Sequence, residues 1–213
     1  MECAICRTRR PRRFCPGVRG EICSLCCGTE REVTVECPLD CEFLREGRRH
    51  EKPVARDAAK FPNRDIRVSE KLLRDNEPLL TFLSLTIFRA AIEVPGVVDG
   101  DVLEALDCLI RTYRTLQSGV YYESRPENLL AASIFGAVQG ALADYRGAEQ
   151  RELGMTKTRD ADVLGLLVFL QYFALDRDNG RRRGRAFLDA LREFHPAAPE
   201  TSGLSSPSSA ILR

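Results

Sequence analysis

The chain has 213 residues, 30% of them charged and 44% hydrophobic, a balance that suits one globular unit plus a small module rather than a disordered or membrane chain. A formal net charge of +1 offers no global field toward nucleic acid or a membrane surface. Nine cysteines are the outlier: eight lie between Cys3 and Cys41 and Cys108 stands alone, which excludes a disulfide scaffold spread along the chain.

In chain order, residues 1–52 form a Cys-rich head. Arg13-Phe14-Cys15-Pro16 and Glu21-Ile22-Cys23 flank the turn Gly17-Val18-Arg19-Gly20 and predict a β-hairpin with sulfurs at its ends. Glu32-Val33-Thr34-Val35 reads as another short strand, and Leu39 to Glu51 as a short helix carrying Cys41. A charged linker, 53–67, shows little apolar periodicity. A helical bundle is expected over 68–195. Its first helix runs from Ser69 to Glu93, with Asn76 and Pro78 able to start a helix within it, and Pro95-Gly96 ends it. The second follows Asp99, a plausible cap, and carries Val102, Leu106, Leu109, Tyr113 and Leu116 on one stripe up to Gly119. The third spans 126–152, with Leu130, Ile134, Val138, Leu142 and Tyr145 on one face. The fourth, Asp160 to Leu175, is apolar nearly all round and is expected at the centre of the bundle. Asn179-Gly180 makes a turn before a fifth helix, Arg185 to Phe194. The Pro-, Ser- and Ala-rich tail, 196–213, is expected to stay disordered.

The cysteine spacing is Cys3-x2-Cys6, Cys15, Cys23-x2-Cys26-Cys27 and Cys37-x3-Cys41. Two residues between cysteines let one tight turn aim both sulfurs at a single cation, and zinc takes four ligands in a tetrahedron. Eight cysteines divide into two such sites, and metal supplies the folding free energy that so small a head lacks. The expected sets are Cys3, Cys6, Cys23 and Cys26 for one Zn2+, and Cys15, Cys27, Cys37 and Cys41 for the other. His50 is an alternative to Cys15 or Cys27; disulfides or free thiols are alternatives to metal altogether. With no signal peptide, lipidation motif or membrane span visible, a cytoplasmic location is expected, where clustered cysteines bind metal more often than they pair. The excess of arginine over lysine suits a GC-rich bacterial coding sequence.

The stretch Phe14-Cys15-Pro16 followed by Ile22-Cys23-Ser24-Leu25-Cys26 resembles HIT-type zinc fingers, which share an interleaved two-zinc layout with MYND and RING modules. The likeness covers only the first quarter of the chain. It departs from the pattern at Cys15, which has no partner at two-residue spacing, at the adjacent Cys26-Cys27, and in lacking the family's histidine ligand. What it implies is a module for binding another protein, or a RING-like ligase component.

Two basic clusters stand apart: Arg7, Arg9, Arg10, Arg12 and Arg13 in the head, and Arg181, Arg182, Arg183 and Arg185 before the last helix. They make nucleic-acid binding the alternative reading. Through Lys60, 13 basic residues face 10 acidic ones, and two four-thiolate zinc sites would cancel that excess. The two histidines sit at segment edges, and no nucleotide-binding, metalloprotease, serine-hydrolase or di-iron motif occurs. Cys108 reads as a core residue and Asp176–Gly180 as a turn. The sequence therefore describes a mainly α protein with a zinc head, acting as a non-catalytic adaptor.

Overall fold

The computed structural model describes residues 2–51 and 57–195; the expected tail and the first part of the expected linker lie outside them. The hairpin forms as expected. Strands β1 (Arg13–Cys15) and β2 (Gly20–Ile22) pair antiparallel, with Phe14 opposite Glu21 and Cys15 opposite Gly20. Helix α1 (Ser24–Glu30) starts directly after β2. The second strand expected at Glu32–Val35 is instead a turn. Glu32 adopts a φ of 54°, and the amides of Val33, Thr34 and Val35 converge on the Glu30 carbonyl, so the segment cannot extend. Only a single bridge, Arg31 to Val35, remains of it. Helix α2 (Glu42–His50) closes the head, with Cys41 as its N-cap residue.

The body contains six helices among the described residues where about five were expected, because the first is broken. Asn76 leaves helical geometry (φ −120°, ψ 23°), ending α3 (Glu70–Asp75) and preceding α4 (Glu77–Glu93). Its amide donates to the Leu72 carbonyl, and Pro78 occupies the first turn of α4, where a missing N–H costs nothing. Then come α5 (Asp99–Gln117), α6 (Leu129–Leu153), α7 (Asp160–Arg177) and α8 (Ala186–Phe194). Helix α7 is the centre that its all-round apolarity predicts: Val163, Leu164, Leu166, Leu167 and Val168 are fully buried, and it packs against α5, α3 and α8. Gly165 permits the approach of α3, since a Cβ there would lie 2.5 Å from Leu72 Cδ2. No helix among the described residues is long and apolar enough to cross a membrane.

Residues 57–68 lie against this core. Phe61 packs on Tyr172, Asn63 donates to Gln171 at 2.7 Å, and Arg114 holds Asp65 at 2.7 Å. Ile66 and Val68 join the hydrophobic core of the body.

A polar junction joins head to body. Glu32 is fully buried, and its carboxylate accepts from the Arg48 guanidinium (2.5 Å), the Arg185 backbone N–H (2.9 Å) and the Asn179 amide (2.9 Å). Its carbonyl accepts from the Arg183 N–H at 2.8 Å. Arg48 also pairs with Asp189 on α8, and Arg192 joins Asp189 to the Leu39 carbonyl. Removing one partner of a buried ion pair leaves the other charge uncompensated. Arg48→Ala is therefore expected to destabilise the protein by about 3–5 kcal/mol, with head and body signals lost together in chemical denaturation.

Asp99 does not cap its own helix. It lies buried at the start of α5 and accepts from the N–H groups of Phe187 and Leu188, capping α8. Burial pushes its carboxyl up to about 7, against those two bonds and the neighbouring Arg48, which favour the ionised form. An unfolded aspartate titrates near about 3.9, so between the two values the folded state holds a proton that the unfolded chain has lost. This contribution to stability is complete below about pH 4 and disappears as pH rises to about 7. Measured as unfolding free energy against pH, wild type should lose a few kcal/mol relative to Asp99→Asn across that window, then level off.

Candidate metal centre

The hairpin, the turn before it and the start of α1 bring four sulfurs together. The backbone from Cys3 to Cys6 forms a tight turn, closed by the Arg7 N–H on the Cys3 carbonyl and followed by Arg7 in the left-handed region (φ 54°). The Ala4 N–H bonds the Glu21 carbonyl, which lays this turn along β2. Immediately after β2, Cys23 is the N-cap of α1 and Cys26 sits in its first turn. The sulfurs of Cys3, Cys6, Cys23 and Cys26 all lie within 4.8 Å of one another, and Cys3, Cys23 and Cys26 are buried. This is the first ligand set that the spacing predicts. No other group of three or more His, Cys, Asp or Glu side chains among the described residues reaches that proximity.

The electrostatics of the cluster suit a cation. Burial opposes ionisation of Cys3, yet the backbone N–H groups of Cys6, Cys23 and Ile5 outweigh it and hold the thiol below its ordinary value. The Thr8 hydroxyl, with the N–H groups of Thr8 and Arg9, lowers Cys6 to about 5. Amide donors two and three residues beyond a cysteine are those that a tight Cys-x2-Cys turn places on a thiolate. Cys26 goes the other way. Burial and the crowding of Cys23, Cys6 and Cys3 push it up to about 12. Four sulfurs this close cannot all ionise unaided; a divalent cation at their centre removes the conflict and deprotonates the last thiol.

The second predicted set is only partly assembled. Cys15 at the end of β1, Cys27 on α1, Cys37 after the Glu32 turn and Cys41 at the head of α2 all line one small cavity of about 20 Å³. Cys37 is raised mainly by burial, with Glu32, Cys15 and Cys41 adding to the rise and the Glu32 N–H opposing it. Gly17 borders this half of the head. A Cβ there would meet the Glu36 carbonyl oxygen at 2.3 Å, so the hairpin turn and the Cys37 loop can approach only with glycine. His50 joins neither set; it bonds Glu46 on the exposed side of α2.

The basic clusters part company. Arg9, Arg10 and Arg12 are exposed and form no ion pair with another described residue, whereas the Arg13 guanidinium lies 4.0 Å from the centre of the Phe43 ring and 3.8 Å from Cys27 Sγ. In the second cluster, Arg181 binds Glu51 and the Arg31 carbonyl, Arg183 pairs with Glu36, and Arg185 is largely buried; Arg182 is exposed and forms no ion pair with another described residue. Most of the second cluster therefore docks the head. Cys108 is buried on α5, as expected. Ser84 and His195 lie 2.8 Å apart, but Ser84 also donates to the Thr81 carbonyl and no described carboxylate holds the ring's other nitrogen.

Comparisons with protein-family models, with curated proteins and with solved structures find no match to this chain. The site thus rests on its own chemistry. Two of its residues escape a spacing argument: Thr8, whose hydroxyl supports Cys6, and Glu32, read as a strand residue. A hydroxyl two residues after a cysteine was the visible sign of the first; the second has none. Removing the Thr8 donor should loosen the metal by about tenfold, as loss of a supporting group around a metal ligand commonly does. Competition of Thr8→Val and wild type against a chromophoric chelator measures this.

Proposed function

We propose that this protein is a non-catalytic, zinc-dependent adaptor of the cytoplasm that binds another protein through its Cys-rich head. The observation that carries this reading is the cluster of four cysteine sulfurs within 4.8 Å of one another, three of them buried. All-sulfur ligation selects soft or borderline ions, and Zn–S bonds of about 2.3 Å set the sulfurs of a tetrahedron about 3.8 Å apart, a modest contraction from the observed limit. Cys3, Cys6, Cys23 and Cys26 hold the first zinc. Cys15, Cys27, Cys37 and Cys41 close around a second, supported by the cavity they share. The two sets alternate along the chain, as in the HIT, MYND and RING layout that the sequence resembles, and that likeness supports a protein partner. So do Phe14 and Leu25, which stand more than half exposed on the hairpin and α1. Four sulfurs on each ion leave no open coordination position, which supports a structural and not a hydrolytic role.

Nucleic-acid binding is the second reading, favoured by the exposed Arg9, Arg10 and Arg12, which form no ion pair with another described residue. Native mass spectrometry of protein purified without added zinc tests the metal reading directly. Two zincs are expected in wild type and one in Cys41→Ser; a metal-free chain with paired thiols would overturn it. Affinity capture then separates the partners. A specific protein retained after nuclease treatment supports the adaptor. Nucleic-acid affinity that falls steeply with salt and with Arg9→Ala and Arg12→Ala supports the alternative.

A further inference from the structure

We propose that the groove between α5 and α6 binds a small planar carboxylate of the aromatic-acid class. The groove measures about 370 Å³, within the range of small-ligand sites, and lies wholly on the helical body. Its floor is apolar: Tyr113 and Leu142 are 6% and 2% exposed. Tyr121, more than half exposed, forms part of its rim. Arg146 stands at the wall, oriented by Asp160 at 2.6 Å and by Tyr113, whose ring centre lies 5.9 Å from the guanidinium carbon.

A guanidinium carries five N–H donors, and only one nitrogen of Arg146, Nη2, has an acceptor among the described residues. Its Nε is buried without a partner. The Gln139 amide and the Tyr113 hydroxyl, which also line the groove, form no hydrogen bond with a described residue. Unused donors of Arg146 and Gln139 thus share the groove's lining with an aromatic floor. Two parallel N–H bonds to a carboxylate satisfy the guanidinium, and a flat ring attached to it stacks on tyrosine. Asp160 keeps the wall close to neutral, which accommodates a monoanion and disfavours a phosphate dianion.

The test uses the full chain as purified, with 15N labelling, titrated with sodium benzoate while the Arg146 Nε–H and Gln139 side-chain amide resonances are followed. Saturable shifts of both are expected. Benzamide should bind at least about tenfold more weakly, a difference of ~1.4 kcal/mol, and inorganic phosphate should shift neither resonance. Arg146→Lys should abolish saturation, because an ammonium cannot form the paired bonds. Gln139→Leu leaves the Arg146–Asp160 pair intact and should weaken benzoate binding on its own. Shifts that never saturate, equal affinity for benzamide, or binding unchanged in both variants would overturn the proposal. The groove shares no residue with the cysteine head, so its outcome is independent of the zinc reading.

Discussion

A carboxylate with no access to water governs how this molecule holds together. Glu32 carries its charge inside the protein, where an unpaired ion costs several kcal/mol. It is tolerated only because donors from two separate regions reach it: Arg48 from α2 in the head, and Asn179 and the Arg185 backbone from the segment before α8. Several unusual features of the backbone and side chains cluster around it. The backbone at Glu32 enters the left-handed region, the expected strand collapses into a turn, and three of the four arginines before α8 turn inward to the head. Charge and hydrogen bonding thus join the head to the body at this junction.

The metal centre obeys a complementary logic. Glu32 is a charge that the fold must neutralise with its own donors, whereas the four sulfurs await neutralisation from outside. Backbone amides and Thr8 favour ionisation at Cys3 and Cys6, while burial and mutual repulsion forbid it at Cys26. Such an arrangement could hold a cation: it combines thiols that ionise readily with one that crowding keeps protonated. A cation there would also fix the start of α1, and through α1 the turn that presents Glu32.

The helices were legible because their signal is repetitive. The stripe Val102, Leu106, Leu109 and Tyr113 repeats at the helical period, and the corresponding side chains are buried along α5. The first ligand set was legible for a similar reason, since two Cys-x2-Cys turns are local and self-evident. What escaped reading depends on partners far away in sequence. Asp99 follows the usual grammar of a helix cap but serves a helix that begins almost ninety residues later. Asn76 is the local exception, a capping residue visible in the sequence inside an apolar pattern that continues through it. Glu32 and the arginines at 181–185 look like solvated charges in sequence and meet only in the fold. The groove above Tyr113 is likewise a property of helix packing, assembled from residues on three helices and the loop after α5.

The junction at Glu32 also has a consequence for the order in which the protein is made. Synthesis proceeds from the N-terminus, and the cysteine head emerges from the ribosome first. Of the residues that surround Glu32, Asn179 and Arg185 emerge about 150 positions later, a wait of roughly eight to thirty seconds at ordinary elongation rates. During that interval the cysteines can already gather around an ion, but the acid beside them must remain in water. The full set of donors to Glu32 is therefore present only once the segment before α8 has been made. A chain cut short before Asn179 would leave Glu32 with Arg48 alone of these donors, so the burial of this acid depends on a segment some 150 residues downstream of it.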